Sequence, residues 1–419
     1  MLAKQILVIS ILIPFIEYYS YVAVRKSTQS LDRKERLWLI ALYILLSAGV
    51  IWALFSVRSW ATTEWPSHFI KIIVNFFIGL FFGKLLIASI MFLWDIIIVI
   101  KKALYYLITL PERIKSDKPV NIKPITRSEF ISRGALITGA AFTLTLGLGM
   151  ANKYRYKLRH TPVWVKNIPD AFKGLKIAQI SDIHTGSLDN RAAVTEGINL
   201  LLSAKPDIIL FTGDLVNYRA SEVQDYFEIL SRLKAPLGVF SILGNHDYGD
   251  YLSWPSEQDK VRDFEQLKEY HRLLGWKLLM NEHVVMKWKD QEFALIGVEN
   301  WSMKARFPKY GKLDQAMSGL ENFRIPLKIL MSHDPSHWDA QVRPGYPDIA
   351  LTLSGHTHGM QLGIEIPGFK WSPSKFLYKQ WAGLYRENDQ YLYVNRGFGF
   401  IGYDGRVGIM PEVALLELV

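Results

Sequence analysis

His356 and His358, within LTLSGHTHGMQLG (351–363), sit two residues apart at the end of an apolar run, flanked by Gly355, Thr357 and Gly359. The chain spends two of its 10 histidines there. Residues i and i+2 face one side of an extended chain, so both imidazoles could aim at one point just past a strand. Imidazole is a common metal ligand and also a common loop residue, so the pair alone leaves metal binding and a polar loop open. Other apolar runs end in the same kind of cluster. KIAQISDIH (176–184) delivers Asp182 and His184, DIILFTGD (207–214) delivers Asp214, GVFSILGNHD (238–247) delivers Asn245, His246 and Asp247, and LKILMSHD (327–334) delivers His333. Packing alone does not call for carboxylates, imidazoles and an amide at five strand ends.

Each of these runs reads as a buried strand by length and β-branched content. Between the first three, Arg191–Ala204 and Ser221–Leu233 have the amphipathic spacing of helices. The later stretches 276–300 and 390–400 read as antiparallel strands. No internal repeat or low-complexity segment is visible.

In chain order, D-x-H (Asp182, His184), G-D (Gly213, Asp214), G-N-H-D (Gly244 to Asp247), a lone His after an apolar strand (His333) and G-H-x-H (Gly355 to His358) resemble the motifs of the calcineurin-like metallophosphoesterases, in a membrane-anchored form. The resemblance covers about residues 161–419. It implies an α+β fold, a four-layer α/β/β/α sandwich whose loops along one edge hold two divalent metal ions. It places one ion on Asp182, His184, Asp214 and His358, and the other on Asp214, Asn245, His333 and His356, with Asp214 bridging. His246 is then the group that contacts the scissile phosphate and protonates or stabilises the leaving oxygen, with Asp247 holding its ring. A water bridging two such ions loses a proton readily and attacks phosphorus in line. Ligands of nitrogen and oxygen without sulfur suit manganese, iron, zinc or magnesium. Two residues depart from or compete with the pattern. His337 is an alternative to His333, expected on a helix surface beyond Pro335. Met360 stands where related membrane-associated members usually carry a second glycine, which bears on the pocket rim and not on the ligands. Arg396 and Gly397 could reach the pocket or form a structural turn, and Trp381 and Tyr385 could line the cleft or belong to the core.

Half the residues are apolar, 50%, more than a soluble core needs. The excess lies in front, where residues 5–24, 37–56, 69–100 and 131–150 are each long enough to cross a hydrocarbon core of ~30 Å. The expected organisation is therefore a membrane region at 1–150 with about four spans, a basic juxtamembrane linker at 151–163 and a catalytic domain at 164–419. Residues 1–160 carry 21 Lys/Arg against 8 Asp/Glu, leaving a net −3 for residues 161–419, so a nucleic-acid footprint on the soluble part is not expected. Cytoplasmic loops carry the basic excess. Five Lys/Arg at 25–36 and eight at 101–133, against Lys4 and Arg58 on the other side, place the catalytic domain outside the cytoplasm, although Lys153, Arg155, Lys157 and Arg159 argue the other way. Trp60 and Trp65 suit an outer aromatic belt and Trp38 an inner one. ITRSEFISRGALITGAAF (125–142) resembles a twin-arginine export signal in which Ser128 replaces the second arginine. The absence of cysteine is compatible with export. Glu17 and Lys84, inside expected spans, could pair or snorkel.

The function these features favour is a membrane-anchored two-metal hydrolase of phosphodiester, phosphomonoester or pyrophosphate bonds. The short basic and aromatic linker keeps the site near headgroups, which brings lipid-linked phosphoesters into range. A metal-binding membrane sensor or scaffold without catalysis, and a nuclease, are the competing readings. The complete ligand set weighs against the first and the net charge against the second.

Overall fold

The computed structural model describes residues 2–60, 68–115, 128–320, 323 and 325–419. Trp65, Lys118, Lys123 and Arg127 lie outside them, as do the side chains of Lys4, Arg58, Trp60, Arg113 and Lys115. The chain forms two compact units, Met1–Gly147 and Leu148–Val419.

The first unit is helical: α1 (Leu2–Ser27), α2 (Arg33–Trp60), α3 (His68–Lys115) and α4 (Ser128–Gly149). Among the described residues, three stretches are long and apolar enough to cross a membrane: Arg33–Ser56, Ile72–Tyr106 and Glu129–Asn152. The crossing expected at 5–24 falls within α1, which remains helical through Pro14. The run at 69–100 lies within α3, one unbroken helix of 48 residues. Glu17 and Lys84 do pair. Lys84 Nζ lies 2.8 Å from both carboxylate oxygens, and Tyr43 and Ser47 of α2 donate to the same carboxylate at 2.5 and 2.8 Å. Within hydrocarbon a polar group must find its partners inside the protein, and this cluster joins α1, α2 and α3 for that reason.

The second unit holds two six-stranded sheets. The first runs in the order β1 (Lys157–Val163), β14 (Glu412–Leu418), β2 (Lys176–Ile180), β3 (Ile208–Phe211), β4 (Val239–Ser241) and β5 (Trp276–Leu278). The second runs β12 (Gly383–Glu387), β13 (Gln390–Val394), β9 (Leu351–Ser354), β8 (Lys328–Met331), β7 (Gln291–Gly297) and β6 (Glu282–Trp288). Alternation along each strand builds the layers. In β3, Ile208 and Leu210 meet Leu295, Ile329 and Leu353 of the other sheet, while Ile209 and Phe211 turn outward onto Val194, Ile198 and Leu201 of α5 (Arg191–Ser203) and Leu267 of α7 (Glu257–Leu273). The outer face of the second sheet packs Ile296, Leu330 and Leu392 against Leu313, Trp338 and Val342. This is the expected four-layer sandwich, its core strands apolar on both faces because both are covered.

Local expectations needed correction in three places. Residues 157–163 are not linker but edge strand β1, parallel to β14, and Pro162 is tolerated there because an edge strand leaves one row of backbone groups unpaired. The helix expected at Ser221–Leu233 is mostly a tight 3₁₀ stretch, Ala220–Tyr226, followed by the one-turn helix α6 (Phe227–Leu230); Glu222 turns back to accept from Asn217 and Tyr218 N–H at 2.6 and 3.1 Å. Strand β5 joins β4 in parallel because α7 carries the chain back across the sheet before it re-enters.

Candidate metal centre

The ligand-bearing segments leave their strands through sharp left-handed turns. Asp182, His184, Asp214, His356 and His358 have φ of 53, 50, 60, 70 and 48°. Asp and His tolerate this region better than most residues, and strain of this kind concentrates at functional sites. The HxH pair is therefore not extended. The expectation that i and i+2 aim at one point fails, because the left-handed turns send the two rings into different groups.

One group is Asp182, His184 and His358 and the other is Asp214, His333 and His356, the ligating atoms of each lying within 4.8 Å of one another. In the first, His184 Nε2 faces His358 Nε2 at 3.1 Å, and Asp182 Oδ1 is 3.3 Å from the latter. In the second, His333 Nε2 is 3.3 Å from His356 Nδ1. Asp214 Oδ2 joins them, 3.1 Å from His333 Nε2 and 3.6 Å from His184 Nε2. Asn245 is buried beside this arrangement, its amide nitrogen donating to Tyr251 Oη at 2.9 Å and its Oδ1 left without a hydrogen-bond partner among the described residues. The two carboxylates also build the loops. Asp182 accepts from His356 N–H at 2.9 and 3.0 Å, and Asp214 from His246 N–H at 2.8 Å. A Cβ on Gly355 or Gly244 would collide with those same carboxylates, which is why glycine precedes both motifs.

The donor set fits divalent cations. Burial would raise the Asp182 carboxyl, but the charges of His358 and His333 hold it down to about 2. Asp214 is likewise held well below the usual range, against its burial, chiefly by His333 and His246. Burial opposes a proton on His333, yet Asp214 pushes that ring up to about 10. Burial holds His184 down to about 3. Two buried ionised carboxylates draw positive charge into the site.

Residues 175–360 match the calcineurin-like phosphoesterase family, and residues 3–153 match a family described as a probable calcineurin-like phosphoesterase transmembrane domain. The chain carries a calcineurin-like phosphoesterase domain. It carries that family's metal-dependent phosphoric ester hydrolase domain behind a transmembrane region. It is 29% identical over 61% of its length to a transmembrane protein with metallophosphoesterase domain from Danio rerio, of which it spans about half, 55%. It is 26% identical to phosphodiesterase YaeI of Escherichia coli, over 69% of this chain and 100% of that one. The UDP-2,3-diacylglucosamine pyrophosphatase LpxG of Chlamydia trachomatis is 28% identical over 60% of this chain and 86% of its own.

Around the centre of this phosphoesterase, several side chains act differently from the sequence expectation. Asp247 does not touch the His246 ring. Its Oδ2 accepts from Asp214 and Gly244 N–H, each at 2.8 Å, and its Oδ1 from Leu215 and Val216 N–H at 2.8 and 3.3 Å. The carboxylate is consumed by the backbone of two loops, and the His246 ring is set instead by Nδ1–H donating to the Asn217 carbonyl at 2.8 Å. The His246 ring lies edge-on to His184 and 4.5 Å from Tyr251 by centroids. His337 is not on a surface. It is fully buried, bonded to Ser332 Oγ at 2.8 Å and Gln341 Oε1 at 2.9 Å, and belongs to neither group. Arg396 is structural, bound to Glu412 at 2.5 Å and Glu365 at 2.6 Å. Trp381 is core, packed with Ala382 and Ile409, while Tyr385 supports the Trp381 and Ala382 backbone.

Sequence reasoning missed Tyr378, Asp334 and Arg406. Tyr378 Oη lies 2.7 Å and Asp334 Oδ2 3.4 Å from His356 Nε2, the ring nitrogen turned away from the ligand group. Arg406 is fully buried behind His358, 3.3 Å from its Nδ1. Asp334 could have been noticed because it follows His333 directly. Nothing local to Tyr378 or Arg406 marks them.

Proposed function

We propose that this phosphoesterase holds two divalent ions, one on Asp182, His184, Asp214 and His358 and one on Asp214, Asn245, His333 and His356, and hydrolyses phosphodiester or pyrophosphate bonds of lipid-linked substrates on the outer side of the membrane. The observation that carries the reading is the position of Asp214 Oδ2, 3.1 Å from His333 Nε2 of its own Asp/His group and 3.6 Å from His184 Nε2 of the other. When bound, such ions acidify a water and offset charge on the phosphoryl oxygens. The chain's own residues do the rest. His246, protonated at both ring nitrogens, gives its Nε2 proton to the leaving oxygen and regains one from water, while Nδ1–H stays on the Asn217 carbonyl. Tyr378 and Asp334 orient His356, and Asp247 keeps the Asp214 and Gly244 loops together. The lipid-linked part is supported by the transmembrane region and by the resemblance to LpxG, whose named substrate carries two acyl chains. The outward placement rests on the basic residues of the expected inner loops.

The test uses the full chain in nanodiscs, stripped by chelator and reloaded with Mn²⁺. An aryl phosphodiester, an aryl phosphomonoester and an acylated nucleoside-diphosphate sugar are offered in turn. Metal-dependent turnover of the acylated pyrophosphate is expected, and no turnover of any of the three with metal bound would remove the proposal. For placement, a reporter active only in the exported compartment, fused after Val419, should be active. A silent exported reporter with an active cytoplasmic one reverses the orientation.

A further inference from the structure

Two short strands, β10 (Ile364–Ile366) and β11 (Phe369–Trp371), form a ribbon that joins neither large sheet. Its register pairs Ile364 with Trp371, Glu365 with Lys370 and Ile366 with Phe369. One face is therefore apolar and the other charged. The charged face is the one turned inward. Glu365 accepts from Arg396 at 2.6 Å and from Arg159 at 2.5 Å, and Lys370 donates to the Ala382 carbonyl. The apolar face is left in water, with Ile364, Ile366 and Phe369 exposed by 52, 58 and 53%, and the next turn adds Phe376 at 73% and Leu377 at 47%. This inverts the pattern of a water-facing ribbon, and several large apolar side chains left exposed within so short a stretch mark an interaction surface.

Three observations say what covers it. The ribbon lies near the start of this unit's chain: Gly363 N–H donates to the Val407 carbonyl at 2.8 Å, and the adjacent Arg406 N–H to the Gly149 carbonyl at 2.9 Å. The flanks are basic. Exposed Lys375 reaches over the Phe376 ring at 5.4 Å, and β1, whose Arg159 holds Glu365, exposes Lys157 with Arg155 just before it. The patch also borders the metal centre. Tyr378, next to Leu377, contacts His356, and Met360, two residues past His358, keeps a left-handed φ of 50° while 48% exposed.

We propose that the Ile364–Phe369 ribbon and the Phe376 turn insert into the surface of an anionic bilayer and hold the metal centre at headgroup level. Apolar side chains flanked by lysines that can reach back to lipid phosphates are the chemistry of an interfacial anchor. The proposal deepens the lipid-linked reading of the substrate and takes its purpose from it, since a site at headgroup depth receives a phosphoester whose acyl chains remain in the leaflet.

The chain has no cysteine, so a single introduced thiol labels one place. Ile366→Cys and Phe376→Cys, each carrying an environment-sensitive dye, are compared with Asp290→Cys in the turn between β6 and β7, at the end of its sheet away from the ligand-bearing strand ends. The full chain is placed in phosphatidylcholine/phosphatidylglycerol nanodiscs with and without brominated acyl chains. Bromine should quench the dyes at 366 and 376 and leave the dye at 290 unchanged. Equal quenching at all three positions overturns the proposal, as does energy transfer between copies without quenching, which would give the face to a second copy of the chain. The Ile366→Glu/Phe376→Glu variant should lose about tenfold or more of its turnover of acylated pyrophosphate in nanodiscs while its rate on the aryl phosphodiester in detergent is unchanged; equal loss on both substrates also overturns it. Quenching without turnover of any acylated substrate supports the anchor and removes the lipid-linked reading. Turnover of the acylated substrate without quenching does the reverse.

Discussion

Asp247→Asn separates two roles that a carboxylate in this position could have. In the structure each carboxylate oxygen accepts from a pair of backbone donors: Asp214 and Gly244 N–H on Oδ2, and Leu215 and Val216 N–H on Oδ1. An asparagine retains one accepting oxygen and presents an NH₂ to the other pair. Whichever way the amide turns, two buried N–H groups lose their acceptor. At about 1–3 kcal/mol for each unsatisfied buried group, the cost is about 2–6 kcal/mol. The Asp214 loop can escape part of it by moving, and that movement takes with it the oxygen shared by both Asp/His groups. Loss of a group that orients ligands typically lowers metal affinity about 10–100-fold. We therefore expect at least about tenfold weaker Mn²⁺ binding, a lower melting temperature and a rate that recovers largely at saturating metal. The measurements are metal content after dialysis at graded free Mn²⁺, thermal unfolding of the full chain, and turnover of an aryl phosphodiester across the same series. Wild-type metal affinity with wild-type melting would refute the reasoning. A fall in kcat alone, with both metals retained, would return Asp247 to orienting the His246 ring.

Asp214→Asn should abolish hydrolysis and lower metal content, because one oxygen serves both groups; full occupancy with normal turnover would contradict the shared-ligand assignment. His246→Ala should cost about 10²-fold or more in rate while elemental analysis finds the metal content unchanged. In the membrane unit, Lys84→Met leaves the Glu17 carboxylate without its cation and should destabilise the helices by about 3 kcal/mol or more, whereas Glu17→Leu combined with Lys84→Met should recover much of that, since removing one partner of a buried pair costs more than replacing both. Unfolding of the three variants in detergent measures this, and equal stability of the single and double replacements would contradict it.

The helices of the first unit and the five ligand-bearing strands were legible because each depends on a local pattern. A long apolar run must become helix in hydrocarbon, and a short β-branched run ending in Asp, His or Asn reads as a buried strand wherever it lies. Asp182, His184, Asp214, His333, His356 and His358 were all nameable from those strand ends, although the division into two groups came from the resemblance and not from spacing. Asn245 was nameable in the same way. In the structure its Oδ1 is buried and lacks a partner among the described residues, and its role as a ligand is part of the proposal.

What the sequence determined by itself was thus the inventory: which residue types stand at which strand ends, and which segments are too apolar for water. Only the tertiary structure decided their partners. Asp247 was adjacent to His246 in sequence and therefore assigned to it, yet its carboxylate serves the backbone of a loop some thirty residues earlier, with Asp214 N–H 33 positions away. His337 resembled a surface histidine until the packing of Trp301 and Gln341 enclosed it. The spacing of His356 and His358 suggested one extended face, and left-handed turns at both residues separated their rings. The ribbon at 364–371 alternates apolar and charged residues, and only the positions of Arg159 and Arg396 show that its charged side faces in and its apolar side faces out. Periodicity reports which residues share a face of an element. Which way that face turns depends on contacts made by residues tens to hundreds of positions away, and those exist only once the chain has folded.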